Sequence, residues 1–178
     1  MTTIDLRPFT EDDLPELVRL ANDPAIAATL TDAFPQPYTE ESGRTFLARV
    51  MADAPTRVFC ITADGLLAGA VGIHPRGDIW HRNAELGYWV ARPYWGRGIA
   101  TEAVRRAVKY AFGTFPLDRV FARPFGSNAA SQRVLEKTAF VLEARLRGTI
   151  VKNGRVEDEL IYAVRRDDDD HERTIDRW

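Results

Sequence analysis

Hydrophobic and polar residues alternate over Ile4–Phe9, a pattern typical of a half-buried β-strand. The acidic run after Thr10 predicts a helix over residues 10–21, because acidic side chains stabilise the N-terminus of a helix. Three prolines interrupt residues 22–38, which are therefore expected to be mostly loop or a broken helix. A second helix is predicted over residues 39–53.

A hairpin is predicted next. Residues 57–62 and 66–74 are rich in apolar, β-branched and aromatic side chains. This composition predicts two strands. Asp64-Gly65 lies between them, and this dipeptide is typical of tight hairpin turns. Residues 76–78 are predicted to form another turn.

The hydrophobic period changes within residues 85–112. Residues 85–90 read as an apolar and aromatic strand, which Pro93 prevents from continuing smoothly. Gly96 and Gly98 then supply a turn with little side-chain bulk. Apolar residues recur at helical spacing from there on and predict a helix directly after the glycines: Ala100, Ala103, Val104, Ala107, Val108 and Ala111.

The remaining segments predict one more crossover and a second hairpin. A short strand is expected over 119–123, followed by a helix that Ser127 or Asn128 caps and that runs to about Lys137. Two final strands are expected over 140–146 and 156–164. Asn153-Gly154 supplies the turn of that hairpin. The chain is therefore predicted to be an α/β protein with a mostly antiparallel first half and a strand-helix-strand crossover centred on the glycine turn.

Length and charge limit the function classes. The 178 residues predict one domain over 1–164, followed by a polar acidic tail over 165–178. Cys60, the single cysteine, lies in an apolar strand and reads as a small core residue. The net charge of −2 argues against a general nucleic-acid binder, and no apolar run reaches the roughly 20 residues of a membrane helix. These features favour the cytoplasm.

The glycine turn offers a place for an anion. The first turn of the following helix presents backbone N–H groups without intrahelical acceptors, together with the positive end of the helix dipole. No Gly-Lys-Ser/Thr ends the turn, and GxGxxG is absent, so neither a Walker A loop nor a dinucleotide fingerprint is present. By itself, a glycine-rich turn before a helix specifies no particular ligand.

Two further motifs give the turn a family context. The turn reads Trp95-Gly-Arg-Gly98-Ile-Ala100, is preceded by Glu85-Leu-Gly-Tyr88, and is followed by Thr101-Glu-Ala103. A later segment reads Asn128-Ala-Ala-Ser131-Gln-Arg-Val-Leu-Glu-Lys137-Thr-Ala-Phe140. Together these motifs resemble the GCN5-related N-acetyltransferases (GNAT), in their RimJ/RimL-like branch. One departure is Ala139, which stands where that branch usually has glycine.

The resemblance implies a fold and an activity. The fold would be a central, mixed, mostly antiparallel sheet of about seven strands, flanked by about four helices, with a V-shaped splay between the fourth and fifth strands. The activity would be direct acetyl transfer from acetyl-CoA, without a metal, to a protein α-amine or a small-molecule amine in a ternary complex. A homodimer is a family-level expectation. The alternative is a module that keeps the CoA groove but has lost its chemistry.

The resemblance also implies roles for individual residues in cofactor binding. The pantetheine would lie along the 85–90 strand, the turn would hold the pyrophosphate, and the Val90 N–H would polarise the thioester carbonyl. The residues expected to contact the cofactor are Trp89, Val90, Arg92, Trp95, Gly96, Arg97, Gly98, Ile99, Ala100, Thr101, Asn128 and Ser131.

Three of the candidate functional residues have structural alternatives. Asn128 is either a helix N-cap or a pantetheine ligand, and a cap could serve as both. Ser131 is either an exposed first-turn residue or the hydroxyl that protonates the leaving thiolate. Glu85 is either an ion-pair partner across the sheet or a general base acting through water.

The sequence specifies the acceptor site less closely than the cofactor site. Loops and the last strands offer candidate contacts, for which ordinary packing is the alternative. The residues expected to contact the acceptor are Phe34, Tyr38, Trp80, Asp158 and Tyr162. His74 and His81 lack metal-ligand spacing, so no metal is expected.

Overall fold

The computed structural model describes residues 2–166 and resolves α-helices and strands close to those predicted. The helices are α1 (Leu14–Ala21), α2 (Pro24–Ala27), α3 (Glu40–Met51), α4 (Ile99–Thr114) and α5 (Ala129–Glu136). The strands are β1 (Ile4–Pro8), β2 (Val58–Ala63), β3 (Leu66–Pro75), β4 (Asn83–Val90), β5 (Arg119–Ala122), β6 (Val141–Lys152) and β7 (Arg155–Arg165). The four longer helices match the expected number, and α2 is a single turn within the proline-rich segment.

The strands form one seven-stranded sheet in the order β1-β2-β3-β4-β5-β7-β6. The pairs β1/β2, β2/β3, β5/β7 and β6/β7 are antiparallel, whereas β4 and β5 are parallel. The β4/β5 ladder is registered only from Asn83↔Arg119 to Glu85↔Phe121, although β4 continues to Val90. The predicted mixed, mostly antiparallel sheet is confirmed.

Residue contacts divide the chain into two compact units. The first contains Met1–Gly72 and Gly87–Ala107, and the second contains Ile73–Leu86 and Val108–Trp178, of which residues 2–166 are described. The first unit has a core of buried residues that includes Phe9, directly after β1, Leu17 of α1, Leu47 of α3 and Cys60 of β2. In the second unit, Val120, Leu135 and Val164 are almost fully buried. The single domain over 1–164 stays a prediction.

The hairpin turns follow the sequence signals. Asp64 and Gly65 have φ angles of 51° and 82°, and Asn153 and Gly154 have 50° and 74°. Both pairs thus adopt the left-handed conformation that Asp-Gly and Asn-Gly tolerate best. The tight turns predicted at these two dipeptides are confirmed.

Strand β6 is longer than predicted. The expected strand ends at residue 146, whereas β6 runs to Lys152 through an irregularity between Leu146 and Ile150. Gly148 has a φ of 62° there, and its N–H donates to Asp158 Oδ1 at 2.9 Å. Because Arg147-Gly148 interrupts the apolar pattern, the sequence reads as a strand end where the structure has a bulge.

The first two residues of the predicted tail, Arg165 and Arg166, belong to the part of the chain that the structure describes. Arg165 is the last residue of β7, and Arg166 donates hydrogen bonds to the carbonyl oxygens of Leu117 and Phe115. The rest of the predicted tail lies outside the described residues. No helix within residues 2–166 is long and apolar enough to cross a membrane.

Candidate functional site

The end of β4 lies unusually close to β3. A Cβ atom added at Gly69 would lie 2.1 Å from the carbonyl oxygen of Trp89, a distance that no side chain can occupy. The Ala91 N–H also donates to the Ala68 carbonyl at 2.8 Å. Gly69 therefore fixes the position of Trp89 and Val90. Gly69 lies outside the predicted set of site residues, although a glycine inside a buried strand is itself a sign of close backbone approach.

Trp95 stabilises the same strand end. Its indole N–H donates to the Val90 carbonyl at 2.6 Å, while half of the residue remains exposed. The hydrogen bond closes the short 3-10 turn that runs from Arg92 to Tyr94. Trp95 thus holds the backbone of the glycine turn against β4 through an uncharged hydrogen bond.

The glycine turn, defined as residues 95–98, depends on backbone conformation. Gly96 and Gly98 have φ angles of 74° and 75°, which favour glycine strongly. A Cβ atom at either position would meet nothing within 4 Å. The Glu102 N–H donates to the Gly98 carbonyl at 3.1 Å, so α4 begins directly after the turn.

The start of α4 can accept an anion. The N–H groups of Ile99, Ala100 and Thr101 precede the first intrahelical donor and face the N-terminal end of the helix. Glu102 in the same turn accepts hydrogen bonds from Arg105 and Arg106 at 2.6 and 2.8 Å. The hydrogen bond from Arg106, together with that from Arg105, lowers the pKa of Glu102. Its negative charge is therefore compensated.

The two candidate arginines near the turn differ in their surroundings. The Arg92 guanidinium donates to Asp23 at 2.7 Å, and this hydrogen bond lowers the pKa of Asp23. Arg92 also lines a cavity of about 320 Å³ with Arg19. The Arg97 guanidinium lies 5.8 Å from the centre of the Tyr94 ring. Arg97 is the better placed of the two to bring positive charge to the turn.

Phe34, Tyr38 and Trp89 form an aromatic cluster in the first unit. The centroid of the Phe34 ring is 5.2 Å from that of Tyr38 and 6.0 Å from that of Trp89. Tyr38 is only 4% exposed, and burial raises the pKa of its hydroxyl to about 12. These contacts favour packing for Tyr38, and acceptor binding by this cluster stays a prediction.

Asn128 is the N-cap of α5. Its side-chain oxygen accepts a hydrogen bond from the Ser131 N–H at 3.1 Å, so one turn of helix holds both residues. The preceding loop is held by Gln132, whose amide donates to the carbonyl oxygens of Phe125 and Gly126. The predicted cap is confirmed. Because the cap uses only the oxygen of Asn128, its amide N–H groups can still serve a ligand.

Glu85 lies in an ion pair. Arg76 follows β3, and its Nη1 atom is 3.6 Å from Glu85 Oε2. The Arg76 backbone N–H donates to the Asn83 carbonyl at 2.8 Å, which holds this arginine beside β4. The expected ion pair across the sheet is present, and the role of Glu85 as a base stays a prediction.

Charged side chains on neighbouring strands continue the surface around Glu85. Arg119 bonds to Glu143 and Asn83 and lies 4.7 Å from the centre of the Phe121 ring. Arg165 also bonds to Glu143, and Arg123 bonds to Glu159. We call this surface the arginine face; it comprises Arg76, Glu85, Arg119, Phe121, Arg123, Glu143, Glu159 and Arg165.

Asp158 and Tyr162 do not share the face of β7 that bears Glu159 and Arg165, because side chains alternate along a strand. Tyr162 is 4% exposed, and its hydroxyl donates to Glu136 Oε1 on α5 at 3.0 Å. Burial, with this hydrogen bond, raises the pKa of Tyr162. The structure therefore does not bring Tyr162 together with Glu85.

Asp158 has a local structural role, whereas Trp80 is open to solvent. Asp158 accepts hydrogen bonds from the Gly148 N–H and from Arg145, which together lower its pKa. Trp80 lies in a short turn and is 56% exposed. Of these two predicted acceptor residues, only Trp80 has a largely accessible side chain.

Cys60 has the surroundings of a core residue. Cys60 is completely buried, and burial raises the pKa of its thiol to about 12. A thiol held neutral in this way is a poor nucleophile, which agrees with a core role. Within the described part of the chain, no group of His, Cys, Asp and Glu side chains could hold a metal ion.

A model of the acetyltransferase (GNAT) domain matches residues 3–141. The chain therefore belongs to the GNAT acetyltransferase family, and the family named from the sequence motifs is confirmed. The match includes the glycine turn, Glu85, Asn128 and Ser131.

Individual relatives agree with this assignment. The uncharacterized N-acetyltransferase YoaA of Bacillus subtilis (strain 168) is 36% identical over 98 residues, which cover 55% of this chain and 55% of that protein. Spermidine N(1)-acetyltransferase of Escherichia coli (strain K12) is 27% identical over 154 residues, covering 86% and 81%. In the matches above 30% identity, the chain spans about half the length of the curated relatives.

Solved structures share the fold. Mycobacterium smegmatis RimJ, in complex with CoA-disulfide, superposes with a TM-score of 0.80 at 26% identity, over 92% of this chain and 82% of that one. This neighbour supports the RimJ/RimL-like branch that the sequence motifs indicate.

Proposed function

We propose that this protein is an acetyl-CoA-dependent N-acetyltransferase that transfers acetyl directly to a primary amine within a ternary complex. The glycine turn gives the strongest support. Gly96 and Gly98 hold left-handed conformations, leave open space beside the backbone and lead straight into α4. A phosphate group fits such a turn because backbone N–H groups and the helix dipole both favour negative charge.

The first unit supplies the groups that we assign to the cofactor. The N–H groups of Ile99–Thr101 bind the pyrophosphate, and Arg97 adds positive charge. The Val90 N–H polarises the thioester carbonyl, since Gly69 and Trp95 hold this strand end in place. Acetyl-CoA supplies the acetyl group as a thioester.

The second unit supplies the groups that we assign to proton transfer. As the amine nitrogen bonds to the acetyl carbon, the carbon–sulfur bond breaks and the sulfur takes a proton from the Ser131 hydroxyl. Glu85 takes the proton that the amine loses, through water, and Ser131 is reprotonated from solvent. The free amide of Asn128 binds the pantetheine.

The pKa of the acceptor amine decides how far Glu85 must assist its deprotonation. At pH 7, deprotonating a lysine amine costs ~4.6 kcal/mol, whereas a protein α-amine costs about 1 kcal/mol. An α-amine therefore needs little assistance from a base that lies in an ion pair. We accordingly favour an α-amine over a lysine side chain as the acceptor. The resemblance to the family leads us to expect a homodimer as well.

Two measurements test this function in sequence. Thermal unfolding should shift upward with millimolar acetyl-CoA, because a ligand that binds only the folded state stabilises it. Release of free CoA thiol should then depend on an added amine, tested with N-terminal peptides and small amines. The absence of any thermal shift would contradict the proposal. A shift without release on any amine would favour the alternative, a CoA-binding module.

Ser131→Ala tests the assigned proton donor. We expect turnover to fall at least about tenfold while the acetyl-CoA thermal shift changes little, because the hydroxyl acts on the leaving sulfur. Ser127→Ala is the matched control, since Ser127 is exposed in the loop directly before α5 and has no assigned role. Equal turnover in Ser131→Ala and wild type would remove Ser131 from the mechanism.

A further inference from the structure

The arginine face contains one guanidinium group, that of Arg76, that makes no hydrogen bond to a carboxylate of this face. Arg119 and Arg165 bond to Glu143, and Arg123 bonds to Glu159. The closest approach between Arg76 and Glu85 is 3.6 Å, which exceeds hydrogen-bond length. Among these four arginines, all within the described residues, Arg76 alone makes no hydrogen bond to a carboxylate.

The Arg76 side chain is also accessible, and its backbone is held beside β4. Its side chain is 49% exposed, and its backbone N–H is bonded to the carbonyl oxygen at the start of β4. A guanidinium group has five N–H donors in a planar fork that matches a carboxylate. Arg76 can therefore bind a second carboxylate without giving up its attraction to Glu85.

The electrostatic surroundings of Glu85 disfavour further positive charge. The pKa of Arg123 is raised, chiefly by its hydrogen bond to Glu159 and in smaller part by the charges of Glu159 and Glu85. Glu85 thus lies within the influence of two arginines, Arg76 and Arg123. An acceptor with one amine is compatible with this arrangement, whereas a second ammonium group would meet like charges.

We propose that Arg76 determines acceptor specificity by binding a carboxylate carried close to the amine that is acetylated. This inference rests on the proposed function, in which Glu85 receives the proton of that amine. The favoured substrate class is an α-amine with an acidic side chain on the first or second residue. A residue spans only about 3.3–3.6 Å, so such a carboxylate can reach Arg76 while the amine lies beside Glu85.

Two sources can present this chemistry, an acidic N-terminal peptide and a free acidic amino acid. Both place a carboxylate near a primary amine. A polyamine such as spermidine carries only positive charges and is expected to be a poor acceptor, although spermidine acetyltransferase is a relative of this chain.

Thiol release with matched acceptors tests the proposal. The panel contains the peptides Ser-Glu-Ala-Ala, Ser-Gln-Ala-Ala and Ser-Lys-Ala-Ala, together with free glutamate and spermidine. We expect kcat/KM for the Glu peptide to exceed that for the Gln peptide by about tenfold, because a charged hydrogen bond is lost. The Lys peptide and spermidine should be slower still. Comparing free glutamate with the Glu peptide identifies the source.

Variants at Arg76 assign the effect to this residue. Arg76→Gln should bring the Glu and Gln peptides to within about twofold, and Arg76→Glu should favour the Lys peptide, as expected for a direct charge contact. Arg44→Gln is the matched control: Arg44 is exposed and paired with Glu40 on α3, so its loss should leave the ranking unchanged. Thermal unfolding verifies that each variant is folded.

The possible outcomes separate this proposal from the one it rests on. Equal use of the Glu and Gln peptides by the wild type, or an unchanged ranking in Arg76→Gln, would overturn the role of Arg76 while leaving acetyl transfer intact. Spermidine as the best acceptor would have the same consequence. Release on no amine, despite acetyl-CoA binding, would overturn the proposed function and this inference together.

Discussion

The glycine turn is shaped by its backbone, whereas the arginine face is shaped by ion pairs between side chains. In the turn, two glycines with positive φ angles and one indole hydrogen bond shape the backbone, and the nearest charges are paired or stacked. On the arginine face, side-chain ion pairs join residues from separate strands, such as Arg119 with Glu143 and Arg123 with Glu159. Backbone donors suit a phosphate that is the same for every substrate. Exchangeable side-chain charges suit an acceptor that differs between relatives.

The largest expected effect concerns the backbone approach that supports the turn. Gly69→Val places side-chain atoms where the Trp89 carbonyl lies, so β3 and β4 cannot keep their spacing. We expect a loss of at least about 3 kcal/mol in the free energy of unfolding, as for severe overpacking. Thermal or urea unfolding measures it.

Gly113→Ala provides the control for Gly69→Val. Gly113 lies in α4, and a Cβ atom there meets nothing within 4 Å. Alanine should therefore stabilise the helix by up to about 1 kcal/mol. If Gly69→Val unfolded like the wild type, the close approach of β3 to β4 would be wrong.

Gly98→Ala should have the next largest effect. Alanine meets no atom at this position but must adopt a φ of 75°, at a cost of about 1–2 kcal/mol. We expect lower stability and a smaller acetyl-CoA thermal shift, because relaxation of the turn would redirect the N–H groups of Ile99 and Ala100. Gly77→Ala is the matched control, since Gly77 is equally open but has a φ of −102°. If Gly98→Ala and Gly77→Ala had the same stability and the same acetyl-CoA thermal shift, the positive φ of Gly98 would not matter for the turn.

Glu143→Gln tests the side-chain ion pairs. The hydrogen bond from Arg119, with support from the charges of Arg119 and Arg165, lowers the pKa of Glu143. A carboxylate whose pKa is lowered in the folded state stabilises the protein above its unfolded pKa of about 4.3, and this contribution is lost as the pH falls through the folded value. We expect Glu143→Gln to cost about 1 kcal/mol at pH 7.

The pH dependence provides the control for Glu143→Gln. Urea unfolding of the wild type and of Glu143→Gln should differ at pH 7, and the difference should disappear as the pH falls below the lowered folded-state pKa of Glu143, where the carboxylate is protonated. A difference that persisted at acid pH would assign the role of Glu143 to packing and not to charge.

The smallest effect is expected at Ala139, and it is stabilising. Ala139 has a φ of 64° just after the end of α5, a conformation in which alanine is strained. Ala139→Gly should therefore raise the free energy of unfolding by about 0.5–1 kcal/mol, despite the greater freedom of glycine in the unfolded chain. Thermal unfolding detects the change, and a lower melting temperature would show that the strain is negligible.

The glycine turn could be predicted because backbone conformation restricts residue type. Gly96, Gly98, Asp64-Gly65 and Asn153-Gly154 all adopt the positive φ angles that their sequence signals indicate. Ala139 is consistent with the same reasoning. Its φ is positive, and glycine is the usual residue at this position in the RimJ/RimL-like branch. The cap at Asn128 was predictable for a similar local reason.

The arginine face could not be predicted because its pairs join residues that are distant in the sequence. Nothing near Arg76 indicates that it lies beside Glu85, and Arg123 and Glu159 are separated by 36 positions. The bulge at Gly148 conceals the true length of β6, and no residue near Tyr162 in the sequence indicates its hydrogen bond to Glu136. Long-range partners of this kind depend on strand order and register, which local patterns do not specify.

Amine-dependent release of CoA thiol is the most direct test of the central claim. With saturating acetyl-CoA, we expect the wild-type protein to release thiol when a peptide with a free α-amine is added, and to stop when that amine is blocked by acetylation. The rate of release should also fall at least about tenfold in Ser131→Ala. Thiol release on neither free nor blocked peptides, nor on any other amine, would contradict the assignment of this protein as an N-acetyltransferase.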